Sequence, residues 1–111
     1  MAIRITVQSN RLPAVAAKLP AAANIVLERH GREMEATAKR LVPVDTGALR
    51  DSIAWEMTGE TSGQLVAGQE YAGYVEFGTR HAAAQPYIRP AFEQQRPEIE
   101  AAFRRIQELI G

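Results

Sequence analysis

The segment between Pro20 and Pro43 leaves this chain little choice of conformation. In and around it, Ala16, Leu19, Ala23, Leu27, Met34, Ala38 and Leu41 recur at spacings of three, four or seven. That period gathers them on one stripe of a helix. Glu28, Arg32, Glu35 and Lys39 fall largely off the stripe, so this charged face is solvated or shared with a partner. The helical pattern extends over about 10–42. Pro20 should interrupt or kink it near Leu19, because proline has no N–H to donate and crowds the turn before it. A short first piece and a long second piece over about 21–41 are therefore expected, with Pro43 as the stop. Ser9 and Asn10 suit capping of the first piece, and Pro13 is tolerated in a first turn.

Other segments supply the surface against which such a helix packs. Residues 2–8 alternate, with Ile3, Ile5 and Val7 on one face and Arg4, Thr6 and Gln8 on the other, which reads as a strand. Ile53, Trp55 and Met57 share a face of a second strand within 52–58. Gly59 to Gly63 is rich in turn formers, and 64–69 returns, which together read as a β-hairpin with a five-residue connection. Residues 71–77 read as strand or helical turn; Tyr71, Tyr74 and Val75 fit helical spacing, which favours a short helix, after which Gly78 turns the chain. The last stretch is helical, with Pro90 suited to its start. Phe92, Ile99, Phe103, Ile106 and Ile110 form its stripe, while Glu93, Glu98 and Glu100 lie where the helix dipole favours them. Pro97 is a candidate point for splitting it. The predicted fold is α+β, one domain over 1–111. A small antiparallel sheet, made of the N-terminal strand and the central hairpin, packs against one long helix, and the C-terminal helix closes the core.

Composition narrows the function. Thirteen basic and thirteen acidic residues cancel. Tight binding to nucleic acid through phosphates requires a basic excess or stripe, so a general DNA- or RNA-binding role is disfavoured. Neutrality favours self-association over mutual repulsion. No cysteine is present, which removes disulfides, thiolate catalysis and cysteine zinc sites and suits synthesis in a reducing cytoplasm. No apolar run is long enough to span a bilayer, and the alternating N-terminus reads as a strand rather than a signal peptide. Seven aromatics leave the core to Leu, Ile, Val and Ala.

Two motifs stand out, Pro43-Val44-Asp45-Thr46-Gly47-Ala48-Leu49-Arg50 and Tyr71-Ala72-Gly73-Tyr74-Val75-Glu76-Phe77-Gly78-Thr79-Arg80. Gln85-Pro86-Tyr87-Ile88-Arg89-Pro90-Ala91 follows shortly after the second. Asp45-Thr46-Gly47 resembles a metal or phosphate loop, but Asp, a small polar residue and Gly also make an ordinary turn and cap. Gly47 is expected to supply a backbone angle that other residues resist. Glu76 and Arg80 have the chemistry of an acid–base pair, yet no His or nucleophile stands at motif spacing. A salt bridge within the loop or between subunits suits them better than catalysis. Among the aromatics, Phe77 is read as core, and Tyr74 and Tyr87 divide evenly between core and interface. His30 and His81 have no ligand partner at motif spacing; His30 is read as a helix-surface residue and His81 as a loop residue. Arg80, Arg89, Arg96, Arg104 and Arg105 could line a DNA passage, but acidic residues around them favour a mixed contact face. No catalytic, cofactor or metal residue is assigned.

Taken in this order and spacing, the three segments resemble the gene-product-ten type family of lambdoid siphophages, a family of tail-component or head–tail joining proteins. The resemblance spans roughly residues 40–95 by motif, and the preceding strand and helix and the closing helix match in order and length. An alanine-rich loop at 80–84 and Pro97 depart from the family pattern. The resemblance implies a non-enzymatic virion protein of the neck or upper tail, made in the bacterial host cytoplasm and acting as a ring of copies. Its partners would be itself and neighbouring head-completion, tail-terminator or tail-tube proteins, with DNA only as cargo through the channel and no membrane. The alternative is a nucleic-acid-binding accessory module of phage origin. The structural turn residues are Pro43, Asp45, Thr46, Gly47 and Gly78. The candidate interface residues are Leu49, Arg50, Tyr74, Glu76, Thr79, Arg80, Tyr87 and Arg89, on loops 43–52 and 78–89 that are candidates to order on assembly.

Overall fold

The computed structural model describes residues 2–8, 18–43 and 47–110. Its elements run β1 (Ile3–Gln8), α1 (Pro20–Leu41), α2 (Gly47–Ser52), β2 (Ile53–Gly59), β3 (Ser62–Ala67), α3 (Ala72–Phe77) and α4 (Ile88–Ile110). The fold is α+β, as the sequence predicts. β3 is central in a three-stranded antiparallel sheet of order β1-β3-β2. Leu65 pairs with Ile5 on one side and Trp55 on the other.

The helical pattern is interrupted at Leu19, as expected, and Pro20 begins the long piece, α1, at a position where its missing N–H costs nothing. Leu19 carries no side-chain cap, and its carbonyl accepts the Ala23 N–H at 3.1 Å. At the other end Val42 leaves the helix in an extended conformation just before Pro43, and Lys39 and Arg40 sit in the last turn, where the dipole favours cations. The expected stripe is largely the buried one, with Ala23, Leu27, Met34 and Ala38 inaccessible. Leu41 is partly exposed. The first helical piece and its caps Ser9 and Asn10 lie outside the described residues.

The charged face of α1 divides. Arg32 lies 3.9 Å from Glu28 and 3.7 Å from Glu35, and Lys39 lies 3.7 Å from Glu35. These exposed pairs contribute little. Glu35 also accepts the Trp55 backbone N–H at 2.8 Å, which satisfies a donor on the outer edge of strand β2. Close approach of helix and sheet at this point depends on two glycines. Trp55 is buried, and its indole occupies the space that side chains at Gly31 of α1 and Gly63 of β3 would need.

Three expectations about element boundaries are corrected. The hairpin connection is Glu60-Thr61 rather than five residues, because β2 and β3 extend into the turn-rich segment through a register irregularity between Met57 and Gly59. The 43–52 segment, read as loop, contains helix α2 with Leu49 buried beneath it. α4 starts at Ile88, two residues before Pro90, and runs unbroken through Pro97.

Pro97 is exposed and leaves the helix one hydrogen bond short. Pro97→Ala should stabilise the protein by about 1 kcal/mol. That is the interior proline penalty of roughly 3 kcal/mol, reduced by the freedom restored to the unfolded chain and by relaxation already present in the helix. A rise in the urea midpoint at unchanged m-value is the readout. A fall would mean that the ring itself packs.

α1 and α4 lie against each other and close the core, which also takes Ile53, Leu65, Ala67, Tyr87, Ile88, Ile99 and Phe103. His30 Nδ1 lies 2.8 Å from Gln95 Oε1 across the two helices. The molecule is elongated, with extents of 53 × 21 × 20 Å.

Candidate functional site

The second motif folds into α3, a helix of six residues with two unlike faces. Ala72, Gly73 and Glu76 point inward and are buried. Tyr71, just before the helix, and Tyr74 and Phe77 stand outward at spacings of three, with exposures of 36, 58 and 58%. The small inward residues let α3 approach the core closely, and the aromatics are left in solvent as one strip.

The inward face carries the one buried carboxylate among the described residues. Glu76 Oε1 accepts the backbone N–H groups of Tyr87 at 2.9 Å and Ile88 at 2.8 Å, and Oε2 accepts that of Arg89 at 3.1 Å. Ile88 and Arg89 are the first residues of α4. A helix start has N–H groups without intrahelical partners and a positive dipole end, and a carboxylate answers both. No Ser, Thr, Asp or Asn stands at 85–87 to do so locally. Beside it, the Tyr87 hydroxyl donates to the Ala72 carbonyl at 3.1 Å. Burial, aided by the neighbouring Glu76 carboxylate and by Tyr71, pushes the Tyr87 phenol far above its ordinary range. It therefore remains a neutral donor. One bond from the Tyr87 hydroxyl and three into the Glu76 carboxylate clamp α3 onto the start of α4.

The loop after α3 is tied to itself. Gly78 has φ 79° and ψ 174°, a region that only glycine adopts readily, and a Cβ there would stand 2.7 Å from the Ala84 nitrogen. Thr79 N–H donates to the Ala82 carbonyl at 2.8 Å, and Thr79 Oγ1 accepts from the His81 and Ala82 amides at 3.2 and 3.1 Å. Gln85 N–H donates back to the Val75 carbonyl at 2.8 Å. Loop 78–89 is thus tied by hydrogen bonds within the single chain, and the 47–52 part of 43–52 is helix α2.

Several sequence-predicted positions change character. Phe77, expected in the core, is exposed, because α3 turns its small residues inward. Leu49, Glu76 and Tyr87, expected at a contact surface, are buried inside the subunit. Arg50, Tyr74, Thr79, Arg80 and Arg89 are exposed. Glu76 makes no ion pair with Arg80, since both its oxygens are engaged with backbone. Gly47 has no left-handed backbone angle, and the one such glycine among the described residues is Gly78. Asp45 and Thr46 lie outside the described residues, and Pro43 follows the end of α1 in non-helical backbone. Among the described residues no cluster of His, Cys, Asp and Glu could hold a metal ion, and no helix is long and apolar enough to cross a membrane. No signal in the sequence pairs Glu76 with residues 87–89. A carboxylate twelve residues ahead of a helix start with no local capping side chain is the nearest thing to one.

Residues 9–78 match the family described as "Bacteriophage HK97-gp10, putative tail-component". The match covers well over half of the chain, from the end of β1 through α3 to the Gly78 turn. It reaches further toward the N-terminus than the three motifs that carry the resemblance, and stops short of the third of them. No curated protein and no solved structure matches the chain. The chain belongs to the HK97-gp10-like family of phage tail components.

Proposed function

We propose that this tail component is a non-enzymatic subunit of a homo-oligomeric ring at the head–tail junction, which helps join tail to head and leaves a channel for DNA. It would be made in the host cytoplasm and built into the neck or upper tail, against head-completion, tail-terminator or tail-tube proteins. The observation that carries this reading is the strip of Tyr71, Tyr74 and Phe77, exposed on a helix that is clamped in place from below. Aromatics held rigidly in solvent are what interfaces use, since they bring area at little entropic cost. The neutral chain does not repel its copies and would not grip DNA passing through a channel. The acidic residue of the second motif supports the same reading. Both oxygens of Glu76 accept backbone N–H groups at the start of α4, a structural role for this carboxylate.

The test is the mass of the purified protein by light scattering across concentration, alone and after mixing with phage heads or tails lacking it. A closed oligomer in solution, or a monomer that closes on one particle type, is expected. A strict monomer that associates with neither particle overturns the ring. Tight, salt-dependent binding to DNA would favour the accessory-module alternative instead.

A further inference from the structure

We infer that two copies of this chain pair through the open edge of strand β1, antiparallel and across a two-fold axis at Ile5. The contact goes beyond the ring reading and holds or fails apart from it, since it uses none of the α3 surface. β1 and β2 are the two edges of the sheet, and β2 is the protected one. The Trp55 N–H is taken by Glu35 of α1, and the pairing of β2 shifts register between Met57 and Gly59. Both features hinder the addition of another strand. β1 has neither. It pairs with β3 over six residues without a register shift, contains no proline and carries Arg4 as its one charge. Among the described residues no backbone hydrogen bond outside the sheet involves it.

The pleat determines which groups face that open side. A strand residue directs its N–H and C=O to the same neighbour, and opposed residues alternate between bonded and non-bonded pairs. The Trp55 N–H points away from β3, to Glu35. Trp55 and Leu65 are therefore a non-bonded pair, and Leu65 turns its backbone groups to Ile5, its partner on β1. Ile5 thus bonds inward, and the N–H and C=O groups of Arg4 and Thr6 point out from the edge. Both side chains are exposed. On the apolar face, α1 lies over β2 and β3, and Ile3 and Ile5 at the margin are only partly buried. Unpaired peptide groups beside a half-covered apolar row select an extended strand as occupant.

β1 is complementary to itself. Only registers that set Ile against Ile or Val keep the apolar row on one face. Centring on Arg4 would oppose two arginines, which repel. Centring on Thr6 would leave Ile3 without an apolar partner. Centring on Ile5 sets Ile3 opposite Val7 of the second copy, Ile5 opposite Ile5 and Arg4 opposite Thr6. Arg4 and Thr6 then form bonded pairs on both sides of the axis, each exchanging two N–H to C=O bonds. The two Ile5 side chains meet at the non-bonded pair, where side chains stand closest.

The chain has no cysteine, so introduced thiols report on the contact directly. Arg4→Cys and Thr6→Cys are made as separate proteins and mixed under a mild oxidant. Opposed residues of a bonded pair stand ~5.5 Å apart at Cα, within disulfide reach. The mixed disulfide is expected to form at least roughly tenfold faster than either homodimer. Thr6→Pro is the second variant. The N–H it removes points outward, so the pairing of β1 with β3 is kept and only the open edge is changed. By light scattering the free protein is expected at the mass of two chains and Thr6→Pro at the mass of one, with unchanged circular dichroism. Homodimers of either cysteine variant forming as fast as the mixed pair would overturn the register at Ile5. A closed oligomer that Thr6→Pro leaves intact, without mixed disulfide, would overturn the β1 contact and leave the ring standing. A monomer without mixed disulfide would overturn the pairing, with the ring still to be tested on phage particles. Slow hydrogen exchange at Arg4 and Thr6 in that monomer would place another segment of the same chain on the edge.

Discussion

Glu76→Ala is expected to cost about 4 kcal/mol of folding stability, a large part of what a domain of this size possesses. The carboxylate accepts three backbone N–H groups at 2.8–3.1 Å, and Ala would leave the buried amides of Tyr87 and Ile88 and the part-buried amide of Arg89 without that partner. Hydrogen bonds to a charged group are worth roughly 1.5–3 kcal/mol each. The total stays below their sum because burying the carboxylate itself costs free energy. Glu76→Gln should cost about half as much, on the order of 2 kcal/mol. Its carbonyl can keep the Tyr87 and Ile88 bonds, but its amide would set a donor against the Arg89 N–H. Urea denaturation should rank wild type above Gln above Ala, and hydrogen exchange should quicken first at the amides of residues 87–89. Both variants within about 0.5 kcal/mol of wild type would show that the carboxylate does not hold the helix. A variant that dissociates the oligomer at unchanged subunit stability would move Glu76 to an interface.

The same carboxylate marks where sequence reasoning stops. Long periodic elements were legible. The α1 stripe, the alternation of β1, the hairpin pattern around Trp55 and the helical spacing of 71–77 all correspond to elements of the structure. Each is a repeat of local geometry, and local geometry is written in adjacent residues. Helix α2 was not legible, because six residues between a Pro-Asp-Gly stretch and a strand hold fewer than two turns. Strand ends were misjudged where a glycine reads as turn, although Gly63 is a strand residue made necessary by Trp55. The contact surface was half legible. Tyr74 and Phe77 lie on one face of α3 by spacing, but spacing cannot say which face is inward. Glu76 decided it, since its partners are backbone amides of another segment, and a backbone amide leaves no trace in side-chain identity.

Gly31→Ala is expected to destabilise the protein by about 3 kcal/mol, the opposite sign from what helix propensity alone gives. Gly31 stands in the interior of a 22-residue helix, where Ala in its place would ordinarily gain about 1 kcal/mol. A methyl group at Gly31 would fall on Cδ2, Cε2 and Nε1 of the Trp55 indole. The ring has no room to retreat, because its far edge, Cζ2 and Cη2, already fills the side-chain space of Gly63 across β3. Its strand is held as well, by the 2.8 Å bond from the Trp55 N–H to Glu35. Helix and strand must therefore separate, and that loosens Leu27, Met34 and Leu65 around them. Gly68→Ala is the matched control. Its Cβ would meet nothing closer than Ser52 Cβ at 3.8 Å, so its cost should stay within about 0.5 kcal/mol. A double-mutant cycle separates crowding from propensity. In a Trp55→Phe background, where the smaller ring leaves space, Gly31→Ala should lose at least about 1 kcal/mol of its penalty. Equal penalties in both backgrounds would mean that the glycine serves the helix backbone and not the indole, and that some other contact sets the spacing between helix and sheet.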